Sequence, residues 1–226
     1  MPLGDRRTAG SGIPAGPYHP LVSWSLWLTL VAAGALISFT PGAGAINTMA
    51  NSLGSGWTRS IWGILGQQVA LLAHIAVVAA GVGVLVAGSP VLFSVIRYAG
   101  AAYLVYLGVR QFRSRAGAVT VGDVQPEGAG SMFRRGLLVN LTNPKAVVFF
   151  LAFMPQFVVT DRPLVPQYAV LASTVVAIDV VVMWFFFAAA ARGLGRLARR
   201  EKGQRTLNRV FGGLFVGVGV LLAAVH

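Results

Sequence analysis

Two apolar stretches of this 226-residue chain each break at a proline, and the two prolines, Pro41 and Pro144, stand 103 positions apart. The first break reads Ile37-Ser38-Phe39-Thr40-Pro41-Gly42-Ala43 and the second Asn140-Leu141-Thr142-Asn143-Pro144-Lys145-Ala146. Proline removes a backbone donor and clashes with the preceding helical turn. At membrane depth the backbone groups freed in this way are tolerated only where they face protein or a polar cavity. Interrupted segments at matching positions of two halves point to a binding site of the secondary-transporter kind. The chain therefore reads as a small transporter, not an enzyme.

With 56% apolar and 11% charged residues, the composition is that of a membrane protein. There is no cysteine, which excludes disulfides and thiolate metal sites. His19 and His226 lie near the termini, which argues against a structural zinc site, and no cofactor is implied. The net charge of +12 sits mostly in short loops between apolar spans, so it sets membrane orientation and does not form a nucleic-acid surface. No His-Glu-x-x-His or Gly-x-Ser-x-Gly motif suggests an intramembrane enzyme. Residues 1–20 read as a flexible tail, and the apolar run after Arg6 and Arg7 is too long for a cleaved signal.

A membrane helix needs about 20 mainly apolar residues. Six segments qualify, at about 22–40, 61–87, 91–110, 137–158, 166–190 and 207–225. The first is expected to continue beyond Pro41-Gly42 as a short helix through Ala45–Leu53. Thirteen Lys and Arg residues flank the spans on one side and four on the other, which puts the first set in the cytoplasm and both termini outside. Halves of about 21–116 and 132–226 are joined by a cytoplasmic linker, 117–131. Three spans per half force opposite orientations, and the 103-residue offset superposes span two on span five but misses span six by about a dozen residues. The fold class is thus an all-α membrane protein with six transmembrane helices, a 3+3 inverted repeat with broken helices 1 and 4. Three helices per half are thin for enclosing a pathway, so a homodimer is plausible.

Asp179 stands near the middle of span five, where an ionised carboxylate costs several kcal/mol unless paired or solvated. It is the first choice for proton coupling, against a carboxylate locked in a structural pair. His74 lies mid-way along span two, and the offset carries it to position 177, beside Asp179, so a proton relay competes with a packing role. Lys145 has three open roles: neutralising a substrate carboxylate, pairing with Asp179, or snorkelling to the interface. Asn47, Asn140 and Asn143 either bind an amino or carboxyl group or cap the broken helices. Gln67 and Gln68 are adjacent, so at most one is expected to face the bundle interior; Arg97 is expected to snorkel outward. Trp24, Trp27, Trp57 and Trp62 fit interfacial belts.

The segment Thr40-Pro41-Gly42-Ala43-Gly44-Ala45-Ile46-Asn47-Thr48-Met49 resembles the first motif of the LysE-type amino-acid exporters. Val139-Asn140-Leu141-Thr142-Asn143-Pro144-Lys145 resembles their fourth-span motif, and Ala99-Gly100-Ala101-Ala102-Tyr103-Leu104 with Tyr106-Leu107-Gly108 their third-span block. The likeness runs from about Trp24 to the C-terminus, although Pro41-Gly42-Ala43 replaces the Pro-Gly-Pro of many members. Gly44-Ala45-Ile46-Asn47-Thr48-Met49 looks most like the homoserine and homoserine-lactone branch. The resemblance implies export of small neutral amino acids such as homoserine or threonine, driven by protons across the bacterial inner membrane. A proton-independent uniporter, or an exporter of a basic or branched amino acid, is the alternative. Substrate contacts are expected at Pro41, Gly42, Gly44, Asn47, Asn140, Asn143, Pro144 and Lys145, where half-helix ends suit a zwitterion, with Asp179 and His74 handling protons.

Overall fold

The computed structural model describes residues 23–113, 126–159, 162–198 and 201–224, and these are all-helical. The expected tail, 1–20, and the linker portion 117–125 lie outside the described residues. The helices are α1 (Trp24–Phe39), α2 (Ala43–Ser55), α3 (Ile61–Gly88), α4 (Pro90–Arg113), α5 (Ala129–Leu141), α6 (Pro144–Phe153), α7 (Leu164–Val181), α8 (Ala189–Ala198) and α9 (Glu201–Ala224). Single 3-10 turns follow α2 (Thr58–Ser60) and α6 (Met154–Phe157), and a π-helical stretch, Val182–Ala188, joins α7 to α8.

Both proline breaks form where expected. The residue before a proline is pushed out of the helical region, and Thr40 (φ −76°, ψ 109°) and Asn143 (φ −72°, ψ 108°) are both extended. The pair α1–α2 bends by 58° and the pair α5–α6 by 55°. The two ends are finished differently. Pro144 is the first residue of α6, where its missing N–H is no loss, and the Asn143 side chain caps the helix by accepting from the Lys145 N–H (3.1 Å). Gly42 begins α2 with no side-chain cap.

Among the described residues three helices are long and apolar enough to cross a membrane, or up to five if each bent pair is one span. The expected third span, 91–110, coincides with α4 but is not among those five. The span expected at 137–158 has an upstream arm that starts at Ala129, within the region read as linker. Arg134 and Arg135, read as loop residues, therefore sit on α5.

The exterior is apolar, and a set of polar side chains is gathered inside. Trp24 (73% exposed), Val165 and Val91 are among the most exposed large residues, whereas Ser38, Thr40, Gln67, Gln68, Asn140, Asn143 and Lys145 are buried. An apolar exterior over a polar-lined interior is what a lipid surround selects. The main core joins Leu30 and Ile37 of α1, Leu71 and Ile75 of α3, Leu104 of α4, Leu171 and Val175 of α7, and Leu222 of α9 around an aromatic row that runs along α6 and the 3-10 turn after it. In that row Phe149, Phe153 and Phe157 follow one another at centroid distances of 5.0 and 4.8 Å. A second cluster packs Ala45 and Met49 of α2 and Ile64 of α3 on Val182, Met183 and Phe187 of the π stretch.

Close helix approach depends on glycine at two interfaces. A Cβ at Gly136 of α5 would run into the Gly63 carbonyl of α3, and one at Gly66 into the Phe133 carbonyl. α4 and α9 meet through Gly108 and Gly212, where a Cβ on Gly108 would stand 2.7 Å from the Gly212 oxygen. Small residues of this kind bring membrane helices into backbone contact. Arg97, expected to snorkel outward, instead donates to the Ala223 carbonyl at the end of α9 (2.7 Å). It closes a helix terminus that lacks its own partners.

Candidate functional site

The end of α1 presents carbonyls with acceptor positions to spare, and the side chain that reaches them comes from the other break. Lys145 is 9% exposed, and its Nζ donates to the carbonyls of Thr40 (2.6 Å) and Ile37 (3.0 Å). Its stem passes over Gly42, where a Cβ would meet Lys145 Cε at 3.4 Å. Lys145 thus ties the start of α6 to the end of α1. It neither snorkels nor forms a direct ion pair with Asp179, although both line one cavity.

Asp179 stands about halfway along the 30-residue span Leu164–Gly193. Ser38 Oγ of α1 donates to its Oδ1 (3.0 Å) and Gln68 Nε2 of α3 to its Oδ2 (2.7 Å). Each carboxylate oxygen accepts up to two hydrogen bonds, so a free acceptor position remains on both. The π-helical stretch begins three residues later. Such stretches are frequent at functional sites, and periodicity in the sequence gave no sign of this one. It is held by a reciprocal pair, Trp57 Nε1 to the Trp184 carbonyl (2.9 Å) and Trp184 Nε1 to the Trp57 carbonyl (3.3 Å), with the indoles stacked at 5.1 Å.

The cavity is bounded by α1, α2, α3, the α5–α6 break and α7. Its polar wall is Ser38, Gln67, Asn140, Asn143, Lys145 and Asp179. Its apolar wall includes Ile37, Leu71, Phe149, Phe150 and Val175. The space open to the centre of a water molecule is about 40 Å³. One water needs roughly 10–15 Å³ by that measure, so the chamber holds a few waters and must widen to admit an amino acid.

Of the expected site residues, Gly44, Asn140, Asn143, Lys145 and Asp179 meet at this cavity. Pro41, Gly42 and Pro144 shape the breaks without lining it. Asn47 faces elsewhere: its Oδ1 accepts from Arg135 Nε (2.9 Å) in a cluster where Arg135 also bonds Asn51 and Glu127. His74 is likewise outside the lining. Its Nε2 lies 3.3 Å from the Leu141 carbonyl at the end of α5, and its ring stacks on Phe150 at 5.9 Å.

Gln67 and Gln68 are both buried, at 1% and 5% exposed, which corrects the expectation that at most one faces inward. Adjacent helical residues diverge by about 100°, and α3 packs on α2, α5 and α7. Gln67 therefore reaches α2, donating to the Gly44 carbonyl (3.2 Å) and Thr48 Oγ1 (3.0 Å), while Gln68 reaches Asp179. Ser38, Gln67, Phe149 and Phe150, which line the cavity, and Gln68, which bonds Asp179, were not among the expected site residues. The nearness of Ser38 to Pro41 was the one available signal.

The LysE type translocator family model matches residues 35–225. A homoserine/homoserine lactone efflux protein of Salmonella typhimurium is 38% identical over 206 residues, covering 91% of this chain and 99% of the relative. An uncharacterized membrane protein of Vibrio cholerae is 39% identical over 198 residues, 88% of this chain and 96% of its own. A leucine efflux protein of Salmonella choleraesuis is 32% identical over 206 residues, 88% and 95% of the two chains. No solved structure matches. A family match over this extent, with both motif breaks meeting at one buried polar chamber, makes the chain a membrane transporter and not an enzyme, a member of the LysE type translocator family.

Proposed function

We propose that the protein exports small neutral amino acids, homoserine foremost, across the bacterial inner membrane in exchange for protons. The carrying observation is one buried cation, Lys145, and one half-buried carboxylate, Asp179, on the wall of a single chamber between the two breaks. An ammonium has three donor hydrogens and Lys145 uses two on carbonyls, which leaves one for a substrate carboxylate. The substrate ammonium then takes the open acceptor positions of Asp179. Asp179 holds either that ammonium or a proton, not both, so arrival of a proton from outside displaces the amino acid. Alternating access of a six-span inverted repeat carries the chamber from one side to the other. The relative named for homoserine efflux, matched over nearly its whole length, supports the substrate class.

Homoserine efflux from proteoliposomes, with and without an imposed pH gradient, tests this reading. Efflux should accelerate with acid on the receiving side and be matched by proton entry. Gradient-independent efflux would establish a uniporter instead. The apolar wall of Ile37, Leu71, Phe149 and Phe150, and the relatives named for leucine efflux, favour leucine as a second reading. Leucine in the same assay separates the two.

A further inference from the structure

We propose that Gln67 and Asn140 form an acceptor subsite that selects amino acids carrying a side-chain hydroxyl. The proposal rests on the exporter reading above and adds the residues that set its specificity. The orientation of each amide is fixed by its nitrogen. Gln67 Nε2 donates to the Gly44 carbonyl (3.2 Å) and Thr48 Oγ1 (3.0 Å), so its Oε1 is turned the other way. Asn140 Nδ2 donates to the Gln67 backbone carbonyl (2.9 Å), which turns its Oδ1 likewise. Neither oxygen accepts a hydrogen bond among the described residues, and neither is sealed from the space the two residues line. Both converge on Gly44: a Cβ built there would stand 2.9 Å from Gln67 Oε1 and 3.9 Å from Asn140 Oδ1. The missing side chain is thus the room in front of two bare acceptors.

Such a pair takes a hydrogen-bond donor. A substrate ammonium goes instead to Asp179, because bonds to an ionised acceptor are roughly twice as strong as those between neutral groups. That leaves the neutral oxygens for a neutral donor, and a side-chain hydroxyl is the one that homoserine or threonine offers. The lactone of homoserine presents only acceptor oxygens in its ring and gains nothing here. A substrate lacking the hydroxyl leaves both oxygens unpaired once water is displaced, which is how buried polar groups discriminate.

The test compares export of homoserine with 2-aminobutyrate, the same skeleton without the hydroxyl, from proteoliposomes. Wild-type protein should prefer homoserine by at least about tenfold, as a polar group left unpaired in a closed site implies. Two variants read the subsite independently. Gln67→Met removes the acceptor at similar length. Gly44→Ala removes no hydrogen bond and instead fills the space between the oxygens, with only the far end of a flexible side chain to displace. Each should bring the ratio down towards unity, and thermal unfolding of the purified variants checks that they are folded. A folded variant of either kind that keeps the wild-type ratio, or a wild-type protein that exports both compounds equally, overturns the subsite while leaving the exporter standing. Export of neither compound by the wild type overturns the homoserine reading and the subsite with it.

Discussion

Replacing Lys145 by methionine keeps the length of the side chain and removes its charge and donors. The loss is confined to two carbonyls, those of Ile37 and Thr40. Ile37 keeps a partner, because its oxygen also accepts from the Thr40 N–H at 3.2 Å. Thr40 does not, so one buried carbonyl is orphaned, which costs about 1–3 kcal/mol. Removal of a desolvated cation offsets part of that cost. A modest fall in the unfolding midpoint of the detergent-purified protein is therefore expected. Transport should suffer far more. A charge-assisted hydrogen bond to the substrate carboxylate contributes about 1.5–3 kcal/mol, which corresponds to roughly 10- to 150-fold in apparent affinity at 1.4 kcal/mol per decade. Concentration dependence of homoserine export in proteoliposomes reads that factor directly. A Lys145→Met protein with wild-type midpoint and wild-type half-saturation would refute both the cap and the carboxylate contact.

Asp179→Asn should fold nearly as well as wild type, since an amide can accept from Gln68 and donate to Ser38, whose hydroxyl turns to receive it. Downhill export is expected to persist with a raised half-saturation, because the substrate ammonium loses its charged acceptor, and its acceleration by a pH gradient to vanish; a fluorescent pH probe inside the vesicles decides the point. Gly136→Ala drives a methyl into the Gly63 carbonyl, with Gly63 C and Cα next at 2.9 and 3.2 Å, so α3 and α5 must part. Overpacking of this kind costs about 1–3 kcal/mol, and a thermal midpoint equal to wild type would contradict it. Arg135→Ala strips the donor from Asn47 Oδ1 and Asn51 Oδ1, on side chains that are both buried, at about 1–3 kcal/mol for each. Its thermal midpoint should fall clearly while the half-saturation for substrate stays as it was. Cysteines placed at Trp27 and Thr174, joined by a short bifunctional reagent, should stop export until the link is cleaved. The native chain has no cysteine to confuse that measurement.

The breaks were legible because proline chemistry is local: the extended Thr40 and Asn143 follow from the residue after them. Asp179 and Lys145 were legible because charge at membrane depth is costly wherever it falls. Their partners were not. α3 is apolar on nearly every side, so its periodicity shows no buried stripe, and only the packing of α2, α5 and α7 around it reveals that Gln67 and Gln68 are both inside. Asn47 looked like a ligand group from its place beside the first break. It is turned instead towards Arg135, a residue the charge count had assigned to a loop. The π-helical stretch escaped notice because a shift from four- to five-residue bonding leaves no mark in a run as uniformly apolar as Val182–Ala188.

The two breaks are held in related ways, and the difference between them indicates what moves. The 103-residue offset carries Ser38 onto Leu141 and His74 to within two positions of Asp179. Ser38 is bonded to Asp179, and the Leu141 carbonyl to His74. Each pre-proline turn thus meets a polar side chain from the long helix of the other half. The surroundings are not equivalent. At α3–α5 the glycines Gly63, Gly66 and Gly136 bring backbones into contact and leave no room for a ligand. At α1–α7 the corresponding approach is made by one glycine, Gly34, against the tip of Ile178, with the Trp27–Thr174 hydrogen bond of 3.1 Å nearer the start of both helices. A contact made by backbone on backbone resists separation, whereas one made by side-chain tips and two side-chain hydrogen bonds, Trp27–Thr174 and Ser38–Asp179, parts more readily. The chamber must widen to pass an amino acid, and Ser38, Asp179 and Lys145 all lie on its α1–α7 side or reach across to it. The α3–α5 pair is then the fixed frame and α1 against α7 the moving joint, which is why a link from position 27 to position 174 should arrest export.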